Sequence, residues 1–275
     1  MVMGTSSVLG CGNTTKLSMV RAEAHVGFLV ETAAKDVEEV RRGLPQGADQ
    51  LGAQWKTQPT LEADLKEVHQ ALEVARRKVQ DLRVAKSTFF ALADLNGNVL
   101  RNDQDQDRMS GRPLFGSFPN LRTAKERYVE TLGSMPEASG VRAPRPDGEW
   151  VAGTPVKVDG AVKGLYVTGW AWSSYAYRLE FALRGQIKSE LADKKGDHEP
   201  LVYAFVVVGK SVYGAPVSPD VSRSSLGELD PLSKVKEADT YTDHLDITGR
   251  TYGVAVKRAP SLGPDVAIAV LRSET

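Results

Sequence analysis

Residues 88–103 read TFFALADLNGNVLRND, and the reading of this stretch decides the fold. Thr88 to Asp94 is an apolar run rich in aromatic residues, Leu95-Asn96-Gly97-Asn98 is a polar break, and Val99-Leu100-Arg101 resumes the apolar run. Asn-Gly tolerates the positive φ angles of a tight hairpin, so the segment predicts strand, turn, strand. Everything before Ser87 follows a different period. The boundary therefore divides a helical region from a sheet, and the fold class is α+β.

Upstream, Ala22, Val26, Val30, Ala33, Val37, Val40 and Leu44 step by three or four, and so do Leu61, Leu65, Val68, Leu72, Ala75, Val79 and Leu82. That spacing lays one apolar stripe along each of two helices. Leu44-Pro45-Gln46-Gly47 is expected to stop the first, and Thr60 to cap the second. The expectation is a helical hairpin over residues 15–87, or one long helix returning onto a neighbour. Its stripes serve either a homodimer through the N-terminal helices or packing onto the module that follows.

Downstream, a helical region is expected near Leu121 to Leu132, then a Pro- and Gly-rich loop from Pro136 to Gly148. Three strands should follow at Glu149–Ala152, Thr154–Val158 and Val162–Trp172, with Asp159-Gly160 turning between the last two. Tyr175, Leu179, Leu183, Ile187 and Leu191 mark a connecting helix, which Lys194-Lys195-Gly196-Asp197 ends. The order then repeats in the last part of the chain. Two strands precede a short helix near Leu226 to Ala238, and three strands end the series: Tyr241–Ile247, Arg250–Arg258 and Val266–Arg272.

This order, with the strings FFALADLNGNVLRND, DRMSGRPL and GTPVKVDGAVKGLYVTG, resembles the Cache domains, PAS-like extracytoplasmic sensors of bacterial signalling proteins. The resemblance runs from about Glu62 to Tyr177. It implies a PAS-like antiparallel-sheet module over residues 88–177. The repeated order of elements adds a second, smaller one over residues 198–275, joined by a helix over residues 178–197, with a single larger mixed sheet as the alternative. The resemblance further implies a small-molecule ligand, a carboxylate or an amino acid, held between one face of a sheet and the helices and loop that cover it. On the strand ending at Trp172, alternation puts Tyr166, Thr168 and Trp170 on one face, and Trp150 comes from a neighbouring strand. These four are the candidate ligand-binding residues, because aromatic rings combine apolar area with a directed donor. Arg142 and Arg145, on the loop before Trp150, offer guanidinium forks to a carboxylate. In the second module Tyr203, Phe205, Tyr213, Tyr241 and Tyr252 suit packing or a dimer contact.

Other chemistry is scarce. His25, His69, His198 and His244 fall in no metal-ligand spacing, and there is no Gly-x-Ser-x-Gly, Walker or dinucleotide motif. Asp103 to Asp107 starts like a calcium loop, but the sixth and twelfth positions hold Arg108 and Leu114. No cofactor and no metal is expected, and the chain reads as non-enzymatic. With 35 Lys and Arg against 35 Asp and Glu, the balanced charge offers no electrostatic case for nucleic acid. No apolar run reaches the roughly 18 residues of a membrane span.

The single cysteine, Cys11, follows Val8-Leu9-Gly10, which resembles the lipobox of bacterial lipoproteins. Residues 1–14 would then be a signal-peptide remnant and tether, with translation starting upstream. On that reading the protein is a lipoprotein at the periplasmic face of the outer membrane. The alternative is a cytoplasmic protein with an incidental thiol. With no kinase, cyclase or methyl-accepting region expected after Thr275, the expected function is sensing or small-molecule binding through a partner protein in the envelope. A structural lipoprotein, docking another protein without a ligand, is the rival.

Overall fold

The computed structural model describes residues 9–135, 147–192, 198–236 and 239–274. The chain divides into two compact units, residues 35–172 and residues 1–34 with 173–275. Helix α1 (Leu9–Thr57) contributes to both.

The first correction concerns α1. It runs through Leu44-Pro45-Gln46-Gly47 without stopping and starts at Leu9, ahead of Thr15. Proline removes one backbone donor and crowds the preceding turn, which costs an isolated helix about 3 kcal/mol. Here the apolar row continues across it: Val37, Val40, Leu44, Ala48, Leu51 and Trp55 are all buried. Six such side chains outweigh one broken backbone bond, since each stabilises by about 1.5–3 kcal/mol when fully buried, alanine by less. The return also differs from a simple hairpin. It is made by α2 (Leu65–Lys78) and α3 (Gln80–Val84). Asp64, not Thr60, caps α2, its carboxylate accepting from the backbone N–H of Lys66 at 2.8 Å and of Glu67 at 3.4 Å.

In the unit of residues 35–172, β1 (Phe89–Ala93), β2 (Val99–Asn102), β3 (Val129–Gly133), β4 (Glu149–Val158) and β5 (Ala161–Ala171) form an antiparallel sheet in the order β2-β1-β5-β4-β3. The hairpin at Asn96-Gly97 is as expected, and its chemistry centres on Asp94. That carboxylate accepts from the N–H groups of Asn96 and Asn98, both at 2.8 Å, and from the Asn98 side chain at 3.0 Å. Gly97 has φ of 83°, and a Cβ there would lie 2.6 Å from the Phe115 ring. The helix expected near Leu121 is shorter and earlier: α4 (Leu114–Ser117) and a 3-10 segment, Pro119–Lys125, give way to β3. The two strands expected over residues 149–158 are one, β4.

The two faces of this sheet bury different company. Phe89, Ala91, Ala93, Val151, Leu165 and Val167 meet Met109, Leu114, Phe115, Phe118, Leu121 and Ala124. The opposite face meets α1: Trp55 approaches Gly164, and a Cβ on Gly47 would fall 2.6 Å from Tyr166. Glycine at position 47 lets that ring lie against the helix backbone.

In the second unit, α5 (Trp172–Leu191) leads into β6 (Leu201–Val208), β7 (Ser211–Gly214), α6 (Asp220–Glu228), α7 (Pro231–Lys234), β8 (Thr240–Ile247), β9 (Arg250–Arg258) and β10 (Val266–Ser273). The sheet order is β7-β6-β10-β9-β8, which is the first sheet's order repeated. Residues 194–197, expected to end the connecting helix, lie outside the described residues. Phe205 and Tyr252 belong to this unit's core, with Tyr203 and Tyr241 packed against it. The α+β architecture of a helical region and two antiparallel PAS-like sheets is that expected.

Candidate ligand site on the first sheet

The four residues singled out on the aromatic face share one face of the sheet, as alternation requires. Trp150 and Trp170 are register partners, and Thr154 of β4 faces Tyr166 of β5. Trp150, Tyr166, Thr168 and Trp170 are each exposed by 1% or less. Their face is the one covered by α1, away from α4 and the 3-10 segment. Thr168 spends its hydroxyl on the carbonyl of Phe89, at 2.6 Å. The Tyr166 ring stacks on Phe90, and its hydroxyl has no hydrogen-bond partner among the described residues. Burial pushes that phenol well above its ordinary pKa, with the charge of Asp103 adding and Arg76 opposing.

Asp103 and Asp107, in the acidic run, are both held within the protein by hydrogen bonds and ion pairs. Asp103 accepts from the Phe90 N–H at 2.8 Å and pairs with Arg76 at 3.0 Å. Asp107 accepts from the N–H groups of Met109 and Ser110, at 2.8 and 3.0 Å, and pairs with Arg101 at 3.1 Å. Both carboxylates are spent inside the protein as turn acceptors. Among the described residues no group of three or more His, Cys, Asp or Glu is placed to hold a metal ion. Arg142 and Arg145 lie outside the described residues, and of Cys11 only its place in α1 is described. No described helix is long and apolar enough to cross a membrane.

A residue that sequence reasoning passed over stands on the other face. Glu149 opens β4, and alternation sets it with Val151, on the side of α4 and the 3-10 segment. Its neighbours across the sheet are Gly133 on β3 and Ala171 on β5, neither of which carries a polar side chain. The residue is 2% exposed, and its Oε2 has no hydrogen-bond partner among the described residues. Burial pushes its carboxyl up to about 8, the charge of the nearby Asp147 adding to the effect and the Met135 N–H opposing it. Asp147 is itself buried, and Ser134 donates to its carbonyl at 2.8 Å. Two acidic residues with so little water thus stand at the head of one strand. The string PDGEW, residues 146–150, held the signal: a strand expected from Glu149 with a tryptophan on one face puts the glutamate on the other.

Two sheets of identical order, each of five antiparallel strands beside helices, define the class of fold: a double PAS-like fold of the Cache type. Among solved structures, the chain is similar to the extracellular domain of vpHK1S-Z8, assigned as a histidine kinase, with TM-score 0.59 and 11% identity over 96% of this chain and 93% of that one. It is similar also to a domain of a sensory box/GGDEF family protein from Vibrio parahaemolyticus, with TM-score 0.58 and 11% identity over 96% and 98% of the two chains. The ligand-binding domain of Mlp24 with asparagine gives TM-score 0.51 and 14% identity over 95% and 93%. No family model matches the sequence, and no curated protein matches it.

Proposed function

We propose that the chain is a non-enzymatic sensory module that binds a small, amine-bearing ligand, an amino acid being the simplest example, on the Glu149 face of the first sheet. The observation that carries this reading is a buried carboxyl with an oxygen that has no partner among the described residues, beside a second buried acid. An ammonium group would supply the missing donors and convert a costly buried acid into an ion pair. Arg142 and Arg145, close before Glu149 in sequence, are our candidates for the carboxylate end of the same ligand, since a guanidinium offers a bidentate fork. Mlp24, of the same fold, was solved with asparagine. Trp150, Tyr166, Thr168 and Trp170 then form the back of the sheet, fixing β4 and β5 from the α1 side.

The finer placement is also ours. Lipidation at Cys11 would hold the module in the envelope, and the signal would pass to a partner protein. Leu17 and Val20 are 41% and 56% exposed on α1, which suits a homodimer through the N-terminal helices. A second reading has its own support: Met109, Phe115, Phe118 and Leu121 fill much of the face that Glu149 shares, as a protein-docking scaffold without a ligand requires.

A thermal-shift screen of amino acids, diamines and carboxylates separates the two. All four tryptophans, Trp55, Trp150, Trp170 and Trp172, lie within residues 35–172, so intrinsic fluorescence reports on this unit alone. Amine-bearing compounds should raise its melting temperature, since ligand binding to the native state stabilises it by mass action. The rise should vanish in Glu149→Gln. Shifts from carboxylates alone, or none from any class, would reject the reading.

A further inference from the structure

The second unit holds a buried histidine whose two ring nitrogens tie three elements together. His25, on α1, is 3% exposed, and Arg272, near the end of β10, is 2% exposed. The Nη1 of Arg272 lies 3.1 Å from His25 Nδ1, and His25 Nε2 lies 3.3 Å from Glu190 Oε2 on α5. A guanidinium can only donate, so Nδ1 must accept and carry no proton. The proton of the neutral ring is therefore on Nε2, donated to Glu190. The remaining charged groups are accounted for: Arg272 Nε donates to Glu274 at 2.6 Å, Arg21 Nη1 to the same carboxylate at 3.1 Å, and Gln186 to Glu190 at 3.0 Å. The Glu274 N–H in turn donates to Ser18 of α1 at 3.2 Å.

We propose that His25 is a proton-operated latch: neutral, it fastens α1 to the end of β10 and to α5, and protonated, it drives Arg272 off and loosens that fastening. Protonation at Nδ1 destroys the one acceptor that the His25 ring offers to Arg272 and sets two buried cations 3.1 Å apart. It adds no bond on the other side, because Nε2 already donates to Glu190. Glu190 would draw the charged ring by simple attraction, but it is 42% exposed and screened, whereas the His25–Arg272 contact is not. Burial is the largest influence on the ring, and it lowers the affinity for the proton, as does Arg272, with Glu190 and Glu274 opposing. The latch therefore holds at neutral pH and opens on acidification below the ordinary histidine range.

The test is hydrogen exchange of the whole chain at pH 7.5 and pH 5.0, corrected for intrinsic rates, with imidazole NMR alongside. Protection of residues 18–25 and 270–274 should fall at acid pH. The fall approaches about tenfold per pH unit between the unfolded-state and folded-state values of His25. His25→Gln, which keeps an acceptor and a donor but cannot titrate, should lose that dependence. The wild-type imidazole should show the Nε2–H tautomer and titrate below the ordinary range. An equal pH response in His25→Gln overturns the latch. If that variant does not fold, a wild-type ring that titrates normally, or protection that is flat from pH 7.5 to 5.0, overturns it equally.

Discussion

Trp150 and Trp170 stand opposite one another on β4 and β5 and stack with ring centroids 4.3 Å apart and an angle of 12° between their planes. Both are essentially without exposure, so the pair serves as the brace between the two central strands of the first unit. Trp170→Ala should destabilise residues 35–172 by roughly 3–5 kcal/mol, the sum of lost burial and a residual cavity. Urea unfolding followed by the fluorescence of the remaining tryptophans measures this. A loss below about 1 kcal/mol would show that the stack carries no weight there.

The hairpin that announced the fold depends on one carboxylate. Asp94→Ala removes the acceptor of three hydrogen bonds and should cost about 1–3 kcal/mol. Gly97→Ala should cost at least as much, from a strained φ and a Cβ driven into Phe115. Paired urea titrations of the two variants check the ranking, which is reversed if the turn opens freely.

These residues also show how far the sequence could be read. Asp-x-Asn-Gly, Asp159-Gly160 and Thr248-Gly249 are local devices, and each turn formed where its residues demand positive φ. In the second unit the order of strands and helices followed from the same local signals, whereas in the first β3 begins inside a stretch that reads as helix and two expected strands are one, β4. What escaped was decided at a distance. Pro45 breaks helices on average, but nothing local says that Ala48, Leu51 and Trp55 will find a sheet to bury against. Alternation correctly grouped Trp150, Tyr166 and Trp170 on one face, yet alternation carries no information about which face a helix covers. Glu149 was placed on the strand, but its burial depends on Gly133 and Ala171, one from each neighbouring strand.

The continuous α1 makes a prediction that a broken helix does not. If Pro45 lies inside a helix held by its neighbours, Pro45→Ala restores a backbone donor and removes a clash. It should stabilise the protein by about 1–3 kcal/mol. Were the chain to turn at Leu44-Pro45, alanine would free the turn and stability would fall. Thermal unfolding of the variant decides between them by sign alone.

Glu149 gives stability a pH dependence of unusual direction. Its carboxyl moves from an ordinary 4.5 in the unfolded chain to about 8 in the fold, so between those values the native state binds the extra proton. The stabilisation is complete below pH 4.5 and is lost as pH rises through about 8, where a buried charge must be carried. Wild-type residues 35–172 should therefore lose on the order of 3 kcal/mol between pH 6 and pH 9 in the absence of ligand. Glu149→Gln has the same shape and no charge to lose, so its curve should be flat over that window. A cationic ligand reverses the preference, because it binds the carboxylate. Calorimetry at pH 7 in two buffers of different ionisation enthalpy should then register up to one proton released per ligand bound. Parallel pH curves for the two proteins would mean that Glu149 is ionised at neutral pH and already compensated within the fold.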